Sequence, residues 1–169
     1  TYSMLGSRNG LDGTADCSGA ISQALKDTGI PIQGLPTTVT LGQQLAKNGF
    51  YRVSRNEDWK AETGDIVLMS WGADMSTSGG AGGHVGAIVD SVNFISCDYS
   101  TQGKQGQAIN TYPWNDYYAW NKPTYIEVWR YVDTVPQTNG NAINDFARDV
   151  LRGKYGNGNA RKDNIYKAV

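Results

Sequence analysis

The chain has 169 residues, enough for one domain with a full hydrophobic core, or for one domain of about 130 residues with a small appendage. Its formal net charge is −1 and no run of Lys or Arg forms a basic stripe, so nucleic acid is not an expected partner. Two cysteines and one histidine are too few for a disulfide scaffold or a Cys/His metal centre, and there is no signal peptide or apolar stretch of membrane-spanning length.

The first element is read over "DCSGAISQALKDTGI" (16–30). Asp16 is an N-cap, Ala20, Ile21, Ala24 and Leu25 share a face, Lys26 lies in the last turn, and Gly29 before Ile30-Pro31 ends the helix. "TVTLGQQLAKNGF" (38–50) predicts a second, shorter helix ending at Gly49. After Trp59 the period changes. "GDIVLMSW" (64–71), "HVGAIVD" (84–90), "NFISCDYS" (93–100) and "TYIEVWRYV" (124–132) are β-branched and aromatic and are bounded by turn residues. Helices followed by closely spaced strands predict an α+β fold with an antiparallel sheet. "DTVPQTNGN" (133–141) has linker composition, and residues 142–169 return to helical spacing, with Ile143, Phe146, Ala147, Val150 and Leu151 in register. The expected organisation is a domain over 1–132, a linker over 133–141 and a short helical segment over 142–169. The start at Thr-Tyr-Ser without methionine, and the shortness of the tail, are what a fragment or processed form would show.

Cys17 stands at a helix N-terminus, where the macrodipole and free N–H groups favour a thiolate, while the neighbouring Asp16 disfavours one. Helix position alone therefore does not activate the sulfur, and the competing reading is a small buried hydrophobe. His84 is the only histidine and opens a strand after the glycine-rich "STSGGAGG", where backbone and ligand can approach closely. A thiol-imidazole mechanism would use it as the base. Alternation along "NFISCDYS" puts Phe94, Ser96 and Asp98 on one face and Ile95, Cys97 and Tyr99 on the other. Ser96 and Asp98 are thus the polar candidates for orienting the imidazole; Asp98 is the better, because a carboxylate accepts the ring N–H and stabilises imidazolium. Cys97, on the apolar face, is read as core.

"DCSGAI" opening a helix, then "TGDIVLMSW", then "GGHVGAIVDSVNFISCDYS", resembles the NlpC-type cysteine peptidases of the papain-like superfamily, in the branch found in bacteriophage endolysins. The resemblance covers residues 1 to about 132 and implies a papain-like α+β fold, with Cys17 as nucleophile and His84 as base. The family's third polar residue, often His or Asn, falls at Ser96 or at Asp98 two residues later, and Asp98 is the preferred partner. The resemblance also marks Tyr2 as lining the substrate groove and Asp16, Ser18 and Ser96 as substrate-side residues. "FARDVLRGKYGNGNARKDNIYKAV" is similar to the short cell-wall-binding repeat of phage lysins. There Tyr155, Gly156, Asn157, Gly158 and Arg161 match the wall-binding motif, against a plainer reading as a turn between helices.

The function so implied is hydrolysis of an amide in the peptide of bacterial peptidoglycan, without metal or cofactor. The enzyme would be made in the infected host's cytoplasm and act on the wall. Two bonds fit: D-glutamyl or D-isoglutaminyl to L-Lys (endopeptidase, preferred) and lactyl to L-Ala (amidase). Two other classes stay open: a wall-binding protein that keeps the fold without catalysis, and a cytosolic thiol hydrolase acting on proteins. The aromatic "TYPWNDYYAWNKP" (111–123) is expected to line the groove or to pack as core or flap.

Overall fold

The computed structural model describes residues 1–132. In chain order these form α1 (Cys17–Asp27), α2 (Thr38–Lys47), β1 (Phe50–Arg55), β2 (Ile66–Ser70), β3 (Gly83–Ile88), β4 (Asn93–Cys97), β5 (Ile109–Pro113), α3 (Trp114–Asn121) and β6 (Tyr125–Tyr131). Two short 3₁₀ turns, Met75–Thr77 and Gly80–Gly82, lead into β3. The strands make one six-stranded sheet in the order β1-β6-β2-β3-β4-β5, antiparallel throughout. The predicted α+β class with an antiparallel sheet is therefore the observed one. None of the described helices is long and apolar enough to cross a membrane.

Period-2 alternation divides the core between the two faces. Ile66, Leu68 and Val85 pack with Cys17, Leu25, Leu41 and Leu45 under α1 and α2. Val67, Met69, Ile88, Phe94, Ile126 and Val128 pack with Tyr117 of α3. β2, with both faces covered, reads as an uninterrupted apolar run. Each of the fully buried Leu41, Leu45 and Leu68 contributes roughly 1.5–3 kcal/mol relative to exposure. Asp65, a fully buried carboxylate just before β2, is compensated by Arg130 Nε at 2.7 Å and Nη2 at 2.8 Å, by Trp59 Nε1 at 3.1 Å and by the Glu62 N–H at 2.9 Å.

Local chemistry sets the two N-terminal helices. Asp16 caps α1 by accepting from Gly19 N at 2.7 Å, and at α2 the Thr37 N–H donates to Thr40 Oγ1 at 3.1 Å. The Thr38 hydroxyl then donates to Ser78 O at 2.6 Å, which ties the start of α2 to the turn before β3. Three elements depart from the sequence expectation. β1 and β5 lie at the edges of the sheet, where only some positions are covered, and α3 sits inside the aromatic 111–123 segment. The expected strands are also shorter than read: 93–100 stops at Cys97 because Asp98 and Ser100 enter a hydrogen-bonded turn.

Candidate active site

The segment before α1 is folded back onto it. Tyr2 and Asn9 both bridge to Ala15, Ser3 N donates to Ala15 O at 2.8 Å, and Asp16 N donates to Arg8 O at 3.0 Å. Arg8 holds a left-handed conformation, φ +59°. Its Nε pairs with Asp16 Oδ2 and its Nη2 donates to Ser18 Oγ at 3.1 Å; Ser18 Oγ in turn donates to Asp16 Oδ1 at 3.2 Å. The glycine after Cys-Ser has a steric cause. A Cβ on Gly19 would lie 2.0 Å from Arg8 O, so only glycine lets the folded-back strand reach the helix.

Cys17 projects from the first turn of α1 and is 6% exposed. The Tyr2 hydroxyl and the N–H groups of Ser18 and Val85 face its sulfur. Burial first, and Asp16 second, push the thiol up to about 11, while those three donors pull the other way. Helix position alone does not activate the sulfur in the free protein: desolvation and the Asp16 charge outweigh the three donors.

His84 enters from the other face of the sheet. It pairs with Met69 across β2, and its ring lies 6.0 Å from Tyr117 and 6.4 Å from Phe94. Burial lowers its imidazole to about 4, with Asp98 acting in the opposite sense, so the ring is neutral at physiological pH. Nε2 is buried with no hydrogen-bond partner among the described residues. A side chain on Gly86, two residues on, would meet Ile95 O at 2.3 Å and Phe94 Cζ at 2.4 Å; glycine there lets β4 and the Phe94 ring close over β3 behind His84.

The register pairs Gly86 with Ser96, which brings the Ser96–Asp98 stretch alongside the strand carrying His84. Asp98 is buried and accepts from Ser100 N at 3.0 Å, Ser100 Oγ, Asn110 Nδ2 at 3.0 Å and Ser96 Oγ at 3.2 Å. Its field reaches His84, but no hydrogen bond joins the two among the described residues. Ser96 therefore supports Asp98 rather than facing the cleft. Cys97 is buried on the α1 side, with its thiol directed at Ala15 O at 3.7 Å. Burial first, then Cys17, push that thiol up to about 12.

Two adjoining depressions result. A cleft of about 850 Å³ contains His84, Asp98, Tyr99, Ser100, Trp71, Tyr112, Tyr117 and Trp120; a smaller one of about 220 Å³ contains Arg8, Asp16, Cys17, Ser18 and Thr38. Tyr2, Met4 and Gly80 border both. Cys17 and His84 line different depressions, and the link between them is the Val85 N–H, which faces the Cys17 sulfur from the strand that carries His84. Tyr2 sits at the junction, edge-on to Tyr99 at 5.8 Å. Sequence reasoning left out Arg8 as a partner of the Cys17 turn, and Asn110 and Ser100 as holders of Asp98. Only the positive-φ turn and the β4–β5 pairing bring these residues in. Tyr155, Gly156, Asn157, Gly158 and Arg161 lie outside the described residues.

Residues 1–138 match a family described as bacteriophage peptidoglycan hydrolase, and residues 144–169 match the CW_7 repeat. The chain is also similar to the lysin of Pneumococcus phage Dp-1, at 35% identity over 127 residues, which is 75% of this chain and 40% of that lysin. With four-fifths of its length covered by one family profile, the chain belongs to the bacteriophage peptidoglycan hydrolases.

Proposed function

We propose that this chain hydrolyses an amide bond in the peptide of bacterial peptidoglycan by a cysteine-histidine mechanism of the NlpC type. The observation that carries the reading is the placement of Cys17 and His84 in adjoining depressions that share the Tyr2, Met4 and Gly80 rim. In the free protein thiol and imidazole are both neutral, which suits general-base activation: the proton leaves Sγ as the sulfur attacks. Free-enzyme hydrogen bonds of this kind commonly tighten only with substrate present.

Cys17 Sγ bonds to the amide carbon and its proton passes to His84. The tetrahedral oxyanion is held by N–H groups at the start of α1, including that of Cys17. Imidazolium then protonates the departing amine as the C–N bond breaks, leaving a thioester. Water, deprotonated by neutral His84, attacks that carbonyl, and the returning proton restores the Cys17 thiol as the acid product leaves. Asp98 stabilises the imidazolium through its field, from a position fixed by Ser100, Asn110 and Ser96. Tyr2, Asp16 and Ser18 border the nucleophile on the substrate side, and residues 144–169, with Tyr155, Gly156, Asn157, Gly158 and Arg161, bind the wall.

The preferred bond joins D-isoglutamine, or D-glutamate, to L-lysine. The second bond is lactyl to L-alanine, the amidase reading. Mass spectrometry of a Gram-positive wall digest separates them: new L-Lys amino groups establish the endopeptidase and new L-Ala amino groups the amidase. Release of neither, from several wall types, leaves a wall-binding protein as the account.

A further inference from the structure

The Arg8 side chain has no part in the chemistry above, yet it contacts both neighbours of Cys17. Its guanidinium spans Asp16 and Ser18, the residues on either side of the cysteine, and its carbonyl takes the Asp16 N–H at 3.0 Å. The same carbonyl is the atom that Gly19 makes room for. Arg8 thereby contacts residues 16, 18 and 19 of the turn from which the thiol projects, and it borders the same depression.

We propose that Arg8 is a positioning residue for Cys17, which offsets part of the Asp16 charge next to the thiol and locks the orientation of the α1 first turn. The inference rests on the reading of Cys17 as nucleophile. An unpaired carboxylate on the adjacent residue, itself buried, would oppose the developing negative charge on sulfur. With the guanidinium bound across it, the carboxylate keeps its capping role towards Gly19 while part of its charge is offset. The charged and titratable groups facing the sulfur are few. Tyr2, Arg8 and Asp16 come from the N-terminal segment, Cys97 from β4 and Tyr117 from α3, and His84 precedes Val85 of β3, whose N–H faces the sulfur; α2 presents only the Thr37 and Thr38 hydroxyls. Arg8 is thus the fixed cation of the set. The hydrogen bond to Asp16 raises its guanidinium further above the ordinary arginine value.

The test is the pH profile of Cys17 alkylation by iodoacetamide in the full chain, with the modified cysteine assigned by peptide mass. Alkylation follows the thiolate fraction, so one unit of displacement is a tenfold change in rate below the midpoint. Arg8→Gln is expected to move the midpoint up by about one unit and to slow alkylation near pH 8 about tenfold. Arg8→Gln/Asp16→Asn should return it close to wild type. Should Arg8→Gln fail to fold, Asp16→Asn alone carries the test: it keeps a capping oxygen and leaves the Arg8 charge uncompensated beside the sulfur, so the midpoint should fall. An unmoved profile in a folded Arg8→Gln, or in Asp16→Asn, overturns the proposal and leaves Arg8 a structural contact. Wall hydrolysis by Cys17→Ala is measured separately, so failure of the nucleophile assignment is distinguishable from failure of the Arg8 proposal.

Discussion

The His84 imidazole lies 6.0 Å from the Tyr117 ring at an interplanar angle of 27°, so α3 covers one side of the ring. Burial, rather than the Asp98 charge, decides the state of the histidine: it is pushed down to about 4.

This has consequences for pH. A general base must be unprotonated, so the acid limb of kcat/KM should lie below about pH 5, lower than an ordinary histidine near 6.5 would give. Tyr117→Ala admits water to the ring and should move that limb up by one to two units. The same depression has a stability sign. The unfolded chain takes up a proton near pH 6.5 and the folded one only near 4, so stability is full above 6.5 and falls as pH drops between the two. The loss is on the order of 3 kcal/mol, levelling below pH 4. Urea unfolding of wild type and His84→Gln from pH 7.5 to 4 checks it, the variant losing the His84 share of that slope.

Asp98 and Ser96 should separate cleanly. Asp98 faces the cleft and acts on His84 through its charge, while Ser96 donates to Asp98 at 3.2 Å. Asp98→Ala is expected to cost about 10²-fold in kcat, and Ser96→Ala no more than about threefold. Asp98→Asn should also lower the acid limb, because the charge that raises His84 is gone. Equal losses in Asp98→Ala and Ser96→Ala, read from initial rates of wall solubilisation, would mean the serine orients the ring.

Gly19 is a packing requirement rather than a flexible point. Gly19→Ala puts a methyl 2.0 Å from Arg8 O and should destabilise the fold by about 3 kcal/mol or more. Gly64→Ala, at φ +93° with nothing within 4 Å of the added carbon, should cost about 1–2 kcal/mol. Comparable denaturant midpoints for the two variants would show that the N-terminal segment does not hold Arg8 O against α1.

What could be read from the sequence follows from where burial is two-sided or strongly periodic. α1 was legible because Asp16, the Ala-Ile/Ala-Leu face and Gly29 agree, and β2 because Ile66–Met69 is covered on both faces. β5 exposes every other residue at the sheet edge, and α3 distributes Trp114, Tyr117, Tyr118 and Trp120 around its axis, so neither shows a clear apolar stripe. Cys17, His84, Asp98 and Tyr2 could be named from motif order, and they border the two adjoining depressions. Their electrical state could not: it depends on the Tyr2 segment covering the thiol and on Tyr117 covering the imidazole, both consequences of tertiary packing. The contacts of Arg8 were hidden for a similar reason, since the left-handed turn at that residue folds it back onto a helix eight positions away.

The central claim is that the Cys17 sulfur forms the bond to the wall peptide. It is tested most directly by the initial rate at which purified Gram-positive peptidoglycan is solubilised by wild type, Cys17→Ala and His84→Ala, each checked for native circular dichroism. The account predicts loss of at least about 10³-fold in both variants, with wall binding retained through residues 144–169. Solubilisation by folded Cys17→Ala at the wild-type rate would contradict it.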